Sequence, residues 1–149
     1  MTEEITVPSP LGPLAVTAEN GAITAVSWRA ANGDRPTPLL ARAAAALAAY
    51  FAGASAPFDL PLAPRGSAFD RRVWQALARI GYGETRSYGA LARALGTSPR
   101  AVGGACARNP IPILIPCHRV LAASGALGGY SGAGGTATKR RLLDLERRG

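Results

Sequence analysis

Residues 109–120 read Asn-Pro-Ile-Pro-Ile-Leu-Ile-Pro-Cys-His-Arg-Val, and the rest of the chain is organised around this stretch. Three prolines interrupt its apolar run. Each proline removes a backbone donor and fixes φ, so the segment can form neither a helix nor a central strand. We expect a stiff, hydrophobic, extended segment that ends by presenting Cys117 beside His118, the only histidine in the chain.

A cysteine on a rigid support beside a histidine is compatible with two kinds of site. A nucleophilic thiol needs such support and a neighbour that favours the thiolate. An isolated pair is more often a buried structural cysteine next to a surface histidine, because free cysteine behaves as a small hydrophobe. The surrounding sequence has to decide between them.

Length and composition limit the class of protein. A chain of 149 residues can form one good core or two small domains that share an interface. No apolar run is long enough to span a membrane, and the acidic start lacks the features of a signal peptide, so we expect a cytoplasmic protein. Two cysteines and one histidine cannot complete a four-ligand zinc site without carboxylates. We expect Cys106 and Cys117 to be free thiols, as is usual in the cytosol.

Basic residues are concentrated in the second part of the chain. Residues 1–65 carry a net charge of −1, whereas residues 66–149 carry +9. Such asymmetry favours a polyanionic partner on one face, although it is also compatible with a solvated basic surface.

The N-terminal part predicts a small antiparallel sheet and one helix. Residues 5–7, 14–18 and 22–28 have strand character, and Asn20-Gly21 is a strong hairpin signal. Thr37-Pro38 predicts the start of a helix that runs to about Ala52. A proline-containing linker over residues 54–66 follows, and we place a domain boundary within it.

The C-terminal part predicts a helix-turn-helix. A first helix spans residues 69–80, and two short helices over 88–95 and 99–108 are joined by a turn that contains Gly96. A last helix spans about 137–148. Gly103 and Gly104 each cost the helix about 1 kcal/mol relative to alanine, so something must approach its backbone closely. A neighbouring helix and a nucleic-acid groove both meet that requirement.

The segment 109–120, with its intact Pro-Cys-His-Arg-Val core, resembles the active-site segment of the O6-alkylguanine-DNA alkyltransferases. The resemblance is strong over residues 66–146 and looser towards the N-terminus. It implies an α/β fold in two parts: a ribonuclease-H-like antiparallel sheet with a helix over residues 1–63, and a winged-helix-like domain containing the helix-turn-helix over 64–149. It also implies single-use transfer of an alkyl group from O6 of guanine, and less readily O4 of thymine, to a protein cysteine.

The resemblance further implies roles for individual residues. Cys117 would be the nucleophile, linked through a water to His118, which Glu146 would orient; Asp144 is the rival orienter, and Glu146 could otherwise be an exposed helix charge. Arg119 would form a structural ion pair. The remaining catalytic positions are Tyr88, which would donate toward guanine N3, and Asn109, which would order the active-site turn.

Further positions implied by the family bind substrate and DNA. The substrate positions are Tyr130, Ser131, Val120 and Lys139, and either Tyr88 or Tyr130 could instead be a core aromatic. Arg100 would fill the gap left by a flipped base, or else contact a phosphate. The family inserts the second helix of the motif into the minor groove, where base edges give little sequence readout. This implies DNA contacts at Arg100, Ala101, Gly103, Gly104 and Ala105.

Two departures from the family pattern are visible. The chain is about two residues longer than usual over residues 132–138, a loop that borders the pocket in the family and precedes the helix of Glu146. The vertebrate members' N-terminal zinc ligands are absent, so we expect no metal and no cofactor. We expect a monomer that binds double-stranded DNA and no membrane.

Three other classes of protein fit parts of the sequence. A non-catalytic damage-recognition protein would lack Cys117. A helix-turn-helix regulator should carry base-reading polar residues on its second helix, whereas Arg100 and Arg108 flank a nearly featureless face. A Cys-His hydrolase would turn over repeatedly and gives no reason for the helix-turn-helix.

Overall fold

The first strands form a three-stranded antiparallel sheet in the order β1–β2–β3. A computed structural model describes residues 2–130 and 134–148. In it, β1 (Thr2–Val7), β2 (Leu14–Glu19) and β3 (Ala22–Ser27) follow one another along the chain. The predicted hairpin is confirmed, because Asn20 and Gly21 have φ values of 52° and 79°, both in the positive range that such two-residue turns require. The first strand begins earlier than expected because its start pairs with the end of β2.

Helix α1 (Pro38–Phe51) covers one face of this sheet. It begins as predicted, with Thr37 accepting a hydrogen bond from the Leu40 amide at 3.2 Å. Its buried side chains recur every three or four residues and pack against β1 and β2: Leu40, Ala43, Leu47 and Tyr50. The stripe therefore reaches the last turn of the helix, where the Tyr50 hydroxyl contacts Glu146 in the C-terminal part of the chain.

The connection after α1 is bound to the sheet rather than being a free linker. Leu62 forms a parallel bridge with Ile23, flanked by amide–carbonyl bonds of 2.8 Å on either side. Further along the same strand, the Val26 amide donates to the Pro110 carbonyl at 2.9 Å. Because Pro110 belongs to the proline-rich segment, the sheet edge directly supports that segment.

The helix-turn-helix is present. Helices α2 (Ala68–Ala78), α3 (Tyr88–Leu95) and α4 (Pro99–Ala107) begin at capping serines, each of which accepts a backbone amide: Ser67, Ser87 and Ser98. Helix α2 holds the end of α4 in place. The Trp74 indole donates to the Ala105 carbonyl at 2.9 Å, and Arg108 forms a bidentate ion pair with Asp70.

Two short elements were not predicted. Strands β4 (Arg86–Ser87) and β5 (Val120–Leu121) pair in parallel, and they connect the start of α3 to the end of the proline-rich segment.

Helix α5 (Gly135–Arg148) begins two residues earlier than expected and packs against residues 117–119. One hydrophobic cluster runs through both parts of the chain, from Ile5 in β1 to Leu142 in α5. Over the part of the chain that is described, no helix combines the length and the apolar character needed to cross a bilayer.

Two glycines of the helix-turn-helix should respond oppositely to replacement by alanine. Gly96 ends α3 with φ of 69°, so Gly96→Ala should cost about 1 kcal/mol of unfolding free energy. A Cβ at Gly103, inside α4, would meet no atom within 4 Å. Gly103→Ala should therefore stabilise the protein by about 0.5–1 kcal/mol. Urea unfolding of both variants would measure this, and destabilisation by Gly103→Ala would contradict the open environment.

Candidate active site

The proline-rich segment avoids helix and central strand as predicted, but the expectation that it is extended is wrong. It folds back on itself at Ile113, which has φ of 73°. Asn109 holds the reversal in place: its amide group donates to the Ile115 carbonyl at 2.9 Å, and its side-chain oxygen accepts from the Ile111 amide at 2.9 Å. Both contacts are buried, so Asn109 replaces the backbone partners that the prolines cannot supply. The reversal delivers Cys117 to a fixed position.

Cys117 begins a single 3-10 turn, Cys117–Arg119, and its side chain borders a cleft. The residue is only 3% exposed, yet its side chain lines a cavity of about 610 Å³. Most residues that line this cleft are small, and the larger ones are Tyr88, Pro99, Arg100 and Tyr130. The thiol is therefore sheltered from bulk solvent but open to a ligand that enters the cleft.

His118 is fully buried and pairs with a carboxylate rather than facing solvent. Its Nε2 lies 2.5 Å from Glu146 Oε2. Nε2 carries the hydrogen in this contact, because a carboxylate can only accept, and the lone pair of the neutral ring is then at Nδ1. Nδ1 is buried and has no hydrogen-bond partner among the described residues. Burial lowers the pKa of His118, although Glu146 opposes that shift, so the imidazole stays neutral and basic at Nδ1.

The Glu146 carboxylate collects donors from several parts of the chain. Besides His118, it accepts from Arg119 Nε at 2.8 Å and Nη2 at 3.1 Å, from the Tyr50 hydroxyl at 2.6 Å and from the Gly83 amide at 3.2 Å. Burial raises the pKa of Glu146, but hydrogen bonds from His118 and Arg119 outweigh it and lower the pKa to about 2. Glu146 is thus a buried anion at neutral pH.

The structure separates the two candidate orienters of His118. Glu146 lies against the imidazole, while Asp144 is 44% exposed at its side chain and faces Arg147 at 3.9 Å. The alternative in which Glu146 is an exposed helix charge is wrong, since the residue is 4% exposed. The predicted ion pair of Arg119 is confirmed, and its partner is Glu146 itself.

A buried lysine lies beside the thiol and a tyrosine. Lys139 Nζ donates to the Gly129 carbonyl at 3.2 Å and to the Tyr88 hydroxyl at 3.4 Å. Burial raises the pKa of Cys117, while Asn109 and the Lys139 charge act in the opposite direction. Burial also raises the pKa of Tyr88 to about 12, so this hydroxyl remains a donor near neutral pH.

Of the other predicted substrate positions, Tyr130 lines the cleft and Val120 does not. Tyr130 forms a wall of the cleft, and its ring packs edge-on against Trp28 of the N-terminal part at 6.2 Å. Val120 is fully buried in β5 and is not part of the cleft lining. Ser131 lies outside the described residues, as does the start of the longer segment 132–138.

Helix α4 presents some of the predicted DNA-binding positions to solvent. Arg100 is exposed at its start, and both Arg100 and Gly103 line the cleft. Close helix packing does not explain Gly103, whose surroundings are open, whereas Gly104 lies under the Arg108 side chain. Ala101 is half-buried, and Ala105 is fully buried, so the Ala105 side chain packs inside the domain.

Sequence reasoning missed three residues of this site. Tyr50 has the helical spacing of a core residue and Gly83 lies in the loop after α2, yet both donate to Glu146. Cys106 lines the cleft together with Cys117, and both are free thiols. Helix α4 places Cys106 on the side of Gly103, a spacing of three residues that a helical projection could have indicated. The described residues contain no group of three or more His, Cys, Asp or Glu side chains able to hold a metal ion.

Comparison with known proteins decides the family. A family model described as "6-O-methylguanine DNA methyltransferase, DNA binding domain" matches residues 68–148, and one described as the ribonuclease-like domain of the same proteins matches residues 4–64. The chain belongs to the 6-O-methylguanine DNA methyltransferase family. The predicted α/β fold class is confirmed with it, as a ribonuclease-like part followed by a DNA-binding part.

Individual members of the 6-O-methylguanine DNA methyltransferase family align over nearly the whole chain. The constitutive methylated-DNA–protein-cysteine methyltransferase of Bacillus subtilis is 43% identical and covers 95% of this chain and 93% of its own length. The corresponding protein of Mycolicibacterium paratuberculosis is 46% identical, over 99% and 94% respectively.

A solved member of the family has the same fold. The crystal structure of Mycobacterium tuberculosis OGT in complex with DNA superposes with a TM-score of 0.87 at 44% identity, covering 98% of this chain and 93% of that one. That protein therefore binds DNA with the architecture seen here.

The buried Glu146 anion should make the protein sensitive to acid. Its folded pKa of about 2 lies below the ordinary value of 4.5, so its stabilising effect is complete above about pH 4.5 and is lost as the pH falls towards 2. Urea unfolding of the wild type should show this loss. Glu146→Gln should be less stable at neutral pH and depend less on pH in that window. Glu4, whose pKa is also lowered to about 2, and Asp70, whose pKa is lowered by its hydrogen bond with Arg108, account for dependence that remains. An unchanged slope in Glu146→Gln would contradict the assignment.

Proposed function

We propose that this protein repairs DNA by transferring a methyl or larger alkyl group from O6 of guanine in double-stranded DNA to Sγ of its own Cys117. Relatives that match along almost the entire chain are named methylated-DNA–protein-cysteine methyltransferases. The observation that carries the proposal is the position of the Cys117 thiol: it borders an open cleft beside a histidine–glutamate pair. O4 of alkylated thymine is a second, less readily used substrate.

The target base has to leave the duplex before it can enter the cleft. Unstacking and unpairing one base costs on the order of a few kcal/mol. Arg100, exposed at the start of α4 and on the rim of the cleft, supports a role as the side chain that occupies the vacated place. Helix α4 enters the minor groove, and the open backbone at Gly103 lets it approach closely.

Alkyl transfer then proceeds by displacement at the alkyl carbon. The Cys117 thiol gives its proton through a bridging water to His118 Nδ1, the buried ring nitrogen that is free to accept it. The resulting thiolate attacks the alkyl carbon, the new S–C bond forms, and the C–O6 bond breaks with its electron pair on the guanine. Glu146 stabilises the imidazolium that this step produces.

The departing guanine needs a proton, and Tyr88 is placed to give it. Tyr88 lines the cleft, and Lys139 Nζ is 3.4 Å from its hydroxyl oxygen. A positive charge at this distance stabilises the tyrosinate left after proton donation toward guanine N3. Tyr130 and Ser131 contribute to holding the base, and Val120 and Asn109 maintain the backbone around Cys117.

Each protein molecule acts once. A thioether sulfur is a poor leaving group, so the alkylated Cys117 is not regenerated.

The two parts of the chain divide the work: residues 1–63 form the structural ribonuclease-like domain, and residues 64–149 form the DNA-binding and transfer domain. The protein acts in the cytoplasm as a monomer.

Intact-protein mass spectrometry tests the proposed reaction. After mixing with excess O6-methylguanine duplex, we expect one methyl group per protein molecule, located at Cys117 by peptide mapping. Cys117→Ala should stay unmodified, and Cys106→Ala, which removes the other thiol of the cleft, should still be methylated. Methylation at Cys106, or more than one equivalent of repaired DNA per protein, would refute the proposal.

Arg100 should matter for duplex substrates only. Arg100→Ala should slow repair of O6-methylguanine in duplex DNA by roughly 10-fold or more, because Arg100 no longer offsets part of the cost of flipping the base. A tenfold loss corresponds to about 1.4 kcal/mol in the barrier. Reaction with free O6-benzylguanine, which needs no flipping, should change little. Single-turnover rates with both substrates measure this, and Arg93→Ala, an exposed arginine on the preceding helix, is the charge-matched control. Equal losses on both substrates would exclude the role.

A further inference from the structure

The mechanism above gives no task to the buried hydroxyl of Tyr50. Tyr50 lies in the last turn of α1, on the N-terminal sheet, and is 3% exposed. Its hydroxyl donates to Glu146 Oε2 at 2.6 Å, across 96 residues of sequence. A side chain from the ribonuclease-like part therefore touches the carboxylate that holds the catalytic imidazole.

We propose that Tyr50 is a positioning residue that sets the basicity of His118 through Glu146, so that the N-terminal part takes a direct share in the alkyl transfer. The inference rests on the proposed function of Cys117 and His118. It assigns to α1 a role in the chemistry in addition to its role in the core.

Three donors compete for one oxygen of Glu146. Oε2 lies 2.6 Å from the Tyr50 hydroxyl, 2.5 Å from His118 Nε2 and 3.1 Å from Arg119 Nη2. A carboxylate oxygen has two lone pairs, so each strong donor reduces what the oxygen can give to the others. A carboxylate oxygen that already accepts hydrogen bonds from Tyr50 and Arg119 stabilises the His118 imidazolium less. Tyr50 thereby keeps His118 neutral and ready to accept a proton.

Packing fixes Tyr50 in this position. Its ring contacts three other aromatic rings, with centroids 5.2 Å from Phe51, 5.6 Å from Phe58 and 6.1 Å from Tyr82. Burial and the Glu146 charge raise the pKa of Tyr50 far above its usual range. The hydroxyl is therefore a neutral donor between about pH 5 and pH 9, and its removal changes no charge there.

The other groups that face the Glu146–His118 pair are charged or titratable. Arg119 belongs to the same 3-10 turn as His118 and Cys117, and Lys139 belongs to α5 with Glu146. Arg119 and Lys139 lower the pKa of His118 and Glu146 raises it. From the loop after α2, Tyr82 packs on Tyr50 and on the Arg119 guanidinium, 6.0 Å from its ring. None of these charges is altered by a change at Tyr50.

Tyr50→Phe should therefore raise the pKa of His118. Without the tyrosine hydroxyl, Glu146 Oε2 holds the His118 N–H more strongly and stabilises the imidazolium. The acid limb of the single-turnover rate of methyl transfer should move to higher pH by about half a unit to one unit, which is a ~3–10-fold slower reaction at pH values on the limb. Affinity for the substrate duplex should be unchanged. The rate at saturating DNA and the DNA concentration for half-saturation are measured separately between about pH 5 and pH 9.

Tyr82→Phe is the matched control. It removes a hydroxyl from the same aromatic cluster. Among the described residues, that hydroxyl bonds to the Leu145 carbonyl at 3.4 Å and not to Glu146. The acid limb of Tyr82→Phe should coincide with that of the wild type. If the acid limb of Tyr50→Phe coincides with those of the wild type and Tyr82→Phe, or moves to lower pH, the inference is overturned. Failure of the wild type to methylate Cys117 would instead refute the proposed function.

The single histidine allows a test that is independent of activity. In untagged protein, every imidazole signal in an NMR titration belongs to His118. Tyr50→Phe should protonate at higher pH than the wild type and Tyr82→Phe. Identical behaviour of Tyr50→Phe and the wild type, including no protonation of either before unfolding, would overturn the inference.

A measurement on the wild type covers the case in which Tyr50→Phe does not fold. The Tyr50 hydroxyl proton should be protected from exchange and show a nuclear Overhauser effect to the His118 Nε2 proton, because both point to the same oxygen. A hydroxyl proton that exchanges freely with solvent would contradict the role of Tyr50.

Discussion

The Glu146 carboxylate, kept as an anion inside the protein, is the interaction on which the rest of the structure depends. A buried charge is tolerated only when its oxygens are fully hydrogen-bonded and an opposite charge is close by. Arg119 supplies the charge, and the further donors come from α1, from the loop after α2 and from the turn that follows Cys117. Satisfying one carboxylate of α5 thus requires these three distant parts of the chain to be in their final places.

The same requirement accounts for the way the active-site segment is built. Prolines exclude regular structure over residues 109–116, so the segment satisfies only part of its own backbone, as in the 2.9 Å bond from the Ile115 amide to the Ile111 carbonyl. Asn109 supplies two of the missing partners, and the Val26 amide supplies another from the edge of β3. The result is a rigid reversal whose last residues place the thiol on the cleft and the imidazole against Glu146. Rigidity at this point is useful for a nucleophile, because a displacement reaction requires the attacking atom to be held in line.

Local signals in the sequence were sufficient for much of this architecture. Asn20-Gly21 specifies a turn and Thr37-Pro38 a helix start through contacts between residues close in sequence, and both are found where expected. Ile113 was not predictable, because a β-branched residue disfavours positive φ and only the surrounding Asn109 contacts impose it. The pairing of β4 with β5 involves two residues in each strand, too few for a periodic pattern. Tyr50 has the spacing of a core residue, and its polar contact depends on a partner near the other end of the chain.

The contacts between the N-terminal half and the C-terminal half have a consequence for how the molecule unfolds. Val26 to Pro110, Tyr50 to Glu146 and Trp28 to Tyr130 all cross from one half to the other. If the ribonuclease-like half opened alone, it would expose the shared apolar cluster and deprive a buried anion of a donor. Partial opening is therefore costly, and we expect the two halves to unfold as one cooperative unit. Cooperative unfolding of this kind would keep the thiol sheltered until the whole molecule opens.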